Sequence, residues 1–171
     1  MKRLLCLVLC AVLLSGVRIS AMAVSPKAAA VINGDTGELL FSQNADEKLP
    51  MASTTKIMTA LLLCEHGEPE KEITVTADML RVEGSSMGLL AGDRVTYHDL
   101  LYGMMLASGN DASNVTAIAL GGSVEQFVEK MNAKAAELGL NNTHFVTPSG
   151  LDADGHYTTA AELAALAAYA L

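Results

Sequence analysis

Pro50-Met51-Ala52-Ser53-Thr54-Thr55-Lys56-Ile57-Met58-Thr59 is the stretch on which the reading of this chain turns. Pro50 closes a loop, and from Ser53 the apolar spacing becomes helical: Ile57, Leu61 and Cys64 recur at i, i+4 and i+7, with Met58 and Leu62 beside them. Gly67 and Pro69 end the helix. Ser53 and Lys56 stand three residues apart at the helix start and so share a face. Two readings of the pair are open. In one, Ser53 is an N-cap and Lys56 a solvated lysine. In the other, Ser53 is a nucleophile and Lys56 the base that takes its proton, which requires the amine to fall from its usual pKa of about 10.4 through desolvation or nearby positive charge. Backbone N–H groups of the first helical turn would then face the developing oxyanion.

Upstream, Ala28 to Ile32 and Glu38 to Ser42 flank Asn33-Gly34-Asp35-Thr36-Gly37, whose Gly and Asp residues permit a tight reversal. This predicts a β-hairpin. Further upstream, Lys2-Arg3 precede an apolar run from Leu4 to Leu14 and an Ala21-Met22-Ala23 cleavage pattern. Residues 1–23 read as a secretory signal peptide, so the protein is expected to be exported to the extracytoplasmic face of the cell envelope. The apolar run is too short for a spanning helix, which needs about 20 residues. Cys6 and Cys10 leave with the signal, and Cys64 remains as a thiol expected to be buried and inert.

Eleven Lys and Arg against nineteen Asp and Glu give a net charge of −8. Without Lys2, Arg3 and Arg18 the balance is 8 basic against 19 acidic residues, or −11. Such a surface repels phosphate backbones and excludes nucleic-acid binding.

Downstream, Ile73 to Val75 reads as a short strand and Gly84 to Gly92 as a glycine-bearing loop. Thr96-x-x-Asp99, Ser123-x-x-Gln126 and Thr159-x-x-Glu162 each announce a helix; the last two match the capping box, and Asp99 is a shorter relative. Phe127, Met131, Ala135 and Leu138 line one face of the second of these helices. The methionines around Met58 and Met104-Met105 read as core filler. Ser108-Gly109-Asn110 interrupts two apolar runs just before a helix beginning near Asp111. Helix capping by Ser108 or Asn110 is one reading; a turn that aims a hydroxyl and an amide into a cleft is the other. A hairpin followed by helices is an α+β pattern short of strands, since an isolated hairpin is marginal.

In combination the motifs are more specific than any one of them. Pro50 to Thr59 after a hairpin, then Ala107-Ser108-Gly109-Asn110-Asp111-Ala112-Ser113, resembles the low-molecular-mass penicillin-binding proteins of the D-alanyl-D-alanine carboxypeptidase family. Gly84 to Gly88, Gly92-Asp93, the Phe127 to Leu140 segment, Thr147 to Asp152 and Gly155 to Ala160 extend the likeness from about Ala28 to Leu171. The resemblance implies a β-lactamase/transpeptidase-like fold. It implies that Ser53 attacks the terminal D-Ala-D-Ala bond of a peptidoglycan stem peptide, with Lys56 as general base. Ser108 would relay a proton to the departing D-alanine, and Asn110 would hydrogen-bond the substrate backbone and Lys56. β-Lactam antibiotics would acylate the same serine, and no metal or organic cofactor is implied.

The family pattern also includes Lys-Thr-Gly on a sheet strand, and none of the seven lysines here is followed by Thr or Ser. Residues 24–171 are therefore expected to be the N-terminal part of the catalytic domain, an incomplete fold impaired on its own, without the family's later strands and C-terminal membrane anchor. Two other readings are a serine β-lactamase of the same fold and a non-catalytic peptidoglycan-binding remnant. His66, His98, His144 and His156 show no metal-ligand spacing, and His156 is a candidate structural hydrogen-bonding residue near the site. Asp152-Ala153-Asp154-Gly155 reads as a turn, and the Asn114-Val115-Thr116 sequon is expected inside a helix.

Overall fold

The computed structural model describes residues 25–171; the signal-peptide expectation lies outside them. The predicted hairpin is present as β1 (Ala29–Ile32) and β2 (Leu39–Gln43), paired antiparallel with Ala29 opposite Gln43 and Val31 opposite Phe41. Asn33 builds the reversal, its Oδ1 accepting from Asp35 N at 2.9 Å and Thr36 N at 3.2 Å. Gly37 supplies the left-handed residue at φ +72°. The hairpin packs on the C-terminal helix through β1, yet Leu39, Leu40 and Phe41 are all exposed. Consecutive strand residues point to opposite faces, so β2 leaves apolar surface on both. A second small sheet pairs β3 (Glu72–Thr74) with β4 (Arg94–Thr96), and β4 was not legible as a strand in the sequence.

A 3₁₀ turn, Ala52–Thr55, runs into α1 (Lys56–His66). Then come α2 (Tyr97–Ala107), α3 (Asn110–Gly121), α4 (Val124–Glu137) and α5 (Ala160–Ala170). The core has two clusters. One gathers Met58, Leu61, Ala117, Phe127, Met131, Ala135, Phe145 and Leu166; the other gathers Leu63, Val75, Tyr97, Leu100, Met104, Ala112 and Val115. Helices α1 and α3 contribute to both and are the axis of the molecule. Every residue from Asn110 to Ala117 is buried, although five of the eight are polar. The side chains of Asn110, Asp111, Ser113 and Asn114 all find hydrogen-bond partners there, while Thr116 Oγ1 has none.

The caps invert the expectation. Thr96 and Asp99 form the full reciprocal box: Asp99 N donates to Thr96 Oγ1 at 3.1 Å, and Thr96 N donates to Asp99 Oδ2 at 2.9 Å. Ser123 and Thr159 cap α4 and α5 from one side only. The Glu162 carboxylate is drawn away to Asn142 N, at 2.8 Å, and Thr143 Oγ1, at 2.6 Å. Tertiary donors thus win over the local one.

Two core assignments are corrected. Cys64 is exposed, because the α1 face it shares with Ile57 opens on apolar grooves lined by Leu101 and Leu171 and not on a covering element. Met105 is exposed too, while Met104 beside it is buried. At about 100° per residue, neighbours on α2 cannot both face α3.

Candidate active site

Two long connections meet over the start of α1. One is the 83–89 loop, within the connection between β3 and β4; the other is the segment from Gly139 to Thr159 between α4 and α5. Between them sits the 3₁₀ turn with Ser53, which is exposed, followed by Thr55 and Lys56, which are buried. Ala52 enters that turn at φ +45°, a left-handed conformation that costs a non-glycine residue about 1–3 kcal/mol. Gly150 packs so closely beneath it that a Cβ would lie 1.8 Å from the Ala52 carbonyl oxygen.

Neither bland reading of the serine and lysine survives. Ser53 does not cap α1: the N-cap is Thr55, which makes no side-chain capping bond, and Met51 precedes the 3₁₀ turn. Lys56 is not solvated either, retaining 2% exposure. Its Nζ donates to Asn110 Oδ1 at 2.8 Å and to the Ser149 carbonyl at 2.8 Å. Burial pushes its pKa down from the ordinary lysine value. A neutral amine has two N–H groups and one lone pair. In that neutral form, with both N–H groups committed to Asn110 and Ser149, the lone pair would be left to accept a proton.

Asn110 is equally committed. Its Nδ2 donates to the Glu83 carbonyl at 2.7 Å, and its own N–H donates to the Ser85 carbonyl at 2.7 Å. Its side chain therefore neither caps α3 nor rotates freely. The approach requires glycine at 84, where φ is +94° and a Cβ would lie 2.6 Å from Asn110 Nδ2. Ser108 ends α2 in the left-handed region, φ 53° and ψ 33°, and is half-buried. Ser108 is thus the C-cap of α2, as the capping reading allows, while the N-cap of α3 is Gly109, so capping does not account for Asn110. Gly109 in turn allows the Asp111 carboxylate to lie where its own Cβ would be, 2.7 Å away.

Asp111 is a site residue that sequence reasoning missed. Its carboxylate accepts from Ser86 Oγ at 2.6 Å and from the N–H groups of Met87, Gly88, Leu89 and Ala112 at 2.9–3.1 Å. Burial alone pushes its pKa up; the Ser86 hydroxyl and these N–H groups hold it below the usual carboxylate range. The 83–89 loop is thereby fastened to the same helix turn that presents Asn110. Thr55, Ser149 and Glu83 were also missed as participants. Ser149 and Glu83 act through backbone carbonyls, which leave no side-chain signal. Thr55 and Asp111 are polar neighbours of the motif residues, and only their burial distinguishes them. His156 meets its expectation as a hydrogen-bonding residue: its Nε2 lies 2.8 Å from Thr55 Oγ1. Among the described residues no group of three or more His, Cys, Asp or Glu is arranged to hold a metal ion.

The sequence pattern of the peptidase S11 family, D-alanyl-D-alanine carboxypeptidase, matches residues 16–171. The chain belongs to the D-alanyl-D-alanine carboxypeptidase family. It is 40% identical to the D-alanyl-D-alanine carboxypeptidase DacF of Bacillus subtilis over 98% of this chain and 47% of that protein. The corresponding enzyme DacB2 of Mycobacterium tuberculosis is 42% identical over 71% of this chain and 41% of its own length. Among solved structures, the D-alanyl-D-alanine carboxypeptidase DacD of Francisella tularensis superposes with a TM-score of 0.82 at 32% identity, covering 90% of this chain and 38% of that one. Penicillin binding protein 6B of Escherichia coli superposes with a TM-score of 0.77 at 35% identity, over 85% and 50% of the two chains. The α+β, transpeptidase-like architecture is thus that of the D-alanyl-D-alanine carboxypeptidases. The chain spans about half the length of the curated relatives it matches.

Proposed function

We propose that Ser53 is the acylating nucleophile of a serine-type D-Ala-D-Ala carboxypeptidase acting on peptidoglycan stem peptides outside the cytoplasm. The observation that carries this reading is Lys56, a buried amine whose two N–H groups are held by Asn110 and Ser149. Lys56 takes the Ser53 hydroxyl proton as the oxygen attacks the carbonyl between the two terminal D-alanines. The bond to the last D-alanine breaks, and its nitrogen receives a proton relayed through Ser108. Water then hydrolyses the ester on Ser53, releasing the shortened stem and restoring the hydroxyl proton. Asn110 orients the substrate backbone and the lysine together. β-Lactams, which imitate D-Ala-D-Ala, acylate the same oxygen but leave more slowly.

The 171 residues contain no Lys-Thr-Gly sequence. In the family that strand supplies an oxyanion donor and positive charge beside Ser108, and loss of one such donor lowers a rate by about 10²–10³. The 171 residues by themselves are accordingly proposed to turn over poorly.

Labelling with a fluorescent penicillin tests the nucleophile. The parent sequence is expected to take up label covalently and Ser53→Ala to take up none. Undiminished labelling of Ser53→Ala would remove Ser53 from its role.

A further inference from the structure

We propose that His156 is a positioning residue for the nucleophile: its neutral ring, held by the Val146 N–H, grips Thr55 and so fixes the turn that carries Ser53. The inference rests on the reading of Ser53 as the nucleophile, and assigns a function to a buried ring the acylation chemistry does not use.

The ring has a defined tautomer. Val146 N donates to Nδ1 at 3.0 Å, so Nδ1 is the acceptor and carries no proton. The one ring proton of neutral histidine then resides on Nε2 and is donated to Thr55 Oγ1, 2.8 Å away. Both groups are enclosed, Thr55 fully and His156 to 5% exposure. Behind the ring the anchor is firm. Phe145 is fully buried in the core, and its backbone exchanges two hydrogen bonds with the Asn132 side chain of α4, at 2.8 and 2.9 Å. In front of it, Thr55 lies between Ser53 and Lys56, in a turn that enters through a left-handed alanine. A turn in a sparsely populated conformation persists only where its surroundings hold it. The rigid path from α4 through Phe145, Val146, the imidazole and Thr55 is one such restraint, and it crosses 101 residues of sequence between Thr55 and His156.

A second proton breaks this path. Protonated Nδ1 would set an N–H against the Val146 N–H, and the ring would have to leave one of its partners. The titratable groups facing it are Asp152 and Asp154, which line the same small cavity, and His144; Lys56 follows Thr55 on the opposite side. Burial pushes the His156 pKa below the ordinary value of 6.5, Asp152 opposes that and His144 adds to it. The clamp is therefore complete above pH 6.5 and is lost as pH falls through the lower folded-state value.

The test is an NMR titration of the ¹⁵N-labelled 171-residue chain from about pH 7.5 downward until the His156 ring is protonated. The expected result has three parts. The His156 ring shows the Nε2–H tautomer at the upper end. The amides of Ser53, Thr54 and Lys56 shift along the titration curve of the ring. In His156→Gln, whose amide offers one acceptor and one donor in place of the two ring nitrogens, those amides stay near their wild-type positions and no longer follow pH, whereas His156→Ala displaces them throughout. Amides that remain still while the wild-type ring titrates would overturn the proposal, and this arm needs no variant to fold. Penicillin acylation measured alongside should show the ratio of wild-type to His156→Gln rates falling about tenfold per pH unit once the ring is charged. Equal covalent labelling of the wild-type chain and Ser53→Ala would count against the Ser53 reading, while the amide shifts still decide the clamp.

Discussion

Asn110→Asp isolates the contact on which the proposed chemistry depends. The change is isosteric, yet it sets a carboxylate where the amide oxygen now accepts from Lys56 Nζ at 2.8 Å. A negative charge at that distance favours the ammonium and raises a lysine pKa by about 1–3 units. Burial has moved Lys56 the other way, so the substitution opposes that shift. At neutral pH the neutral fraction, and with it the acylation rate, should fall, by up to about 1,000-fold. The acidic limb of the pH–rate profile, where the base loses its proton and the rate rises, should move to higher pH with the lysine. On the other side of the residue, an oxygen replaces the N–H group that donates to the Glu83 carbonyl at 2.7 Å, leaving that acceptor unpaired at a cost of about 1–3 kcal/mol. The assay is the second-order rate of fluorescent-penicillin acylation against pH, run beside an NMR titration of the Lys56 side chain and a urea unfolding curve to exclude misfolding. Lys56 titrating at the same pH in Asn110→Asp, with an acylation rate within about threefold of the parent, would refute the claim that this hydrogen bond sets the protonation of the lysine.

Two further outcomes follow from the same geometry. Gly150→Ala forces a Cβ to within 1.8 Å of the Ala52 carbonyl at a φ of +87°, so it should destabilise the protein by about 2–4 kcal/mol in urea unfolding and slow penicillin acylation beyond what the unfolded fraction explains. Asp111→Ala strips five donors of their acceptor and should cost at least about 3 kcal/mol, with faster amide exchange at Met87 to Leu89 as the sign that the 83–89 loop has come loose.

The parts of the fold that were legible in the sequence are those held by neighbours in the chain. The hairpin follows from Asn33 and Gly37, and α2, α4 and α5 begin at the Thr and Ser residues that cap them. The Phe127, Met131 and Ala135 stripe was readable because a helical period reports which residues share a face. That period does not say whether another element covers the face, which is why Cys64 and Met105 were placed in a core they do not enter. β4 escaped notice for a related reason: three residues paired with a strand some twenty positions earlier carry little local signal.

At the site the division is sharper. Ser53, Lys56, Ser108 and Asn110 could be picked out because they sit in two compact motifs, and within each motif the chemistry depends on spacing. Their meaning could not be read there, since an N-cap serine with a solvated lysine has the same spacing as a nucleophile with its base. Tertiary structure removes the first of these by burying Lys56 and giving its two hydrogen bonds to residues 54 and 93 positions away. The supporting groups, Asp111 on the 83–89 loop and His156 on Thr55, are likewise long-range or act on backbone atoms. A sequence determines periodicity, turns and caps because those interactions act within a few residues. Which lysine loses its water, and which carbonyls meet it there, is fixed only once distant segments pack together and the dielectric around the amine falls.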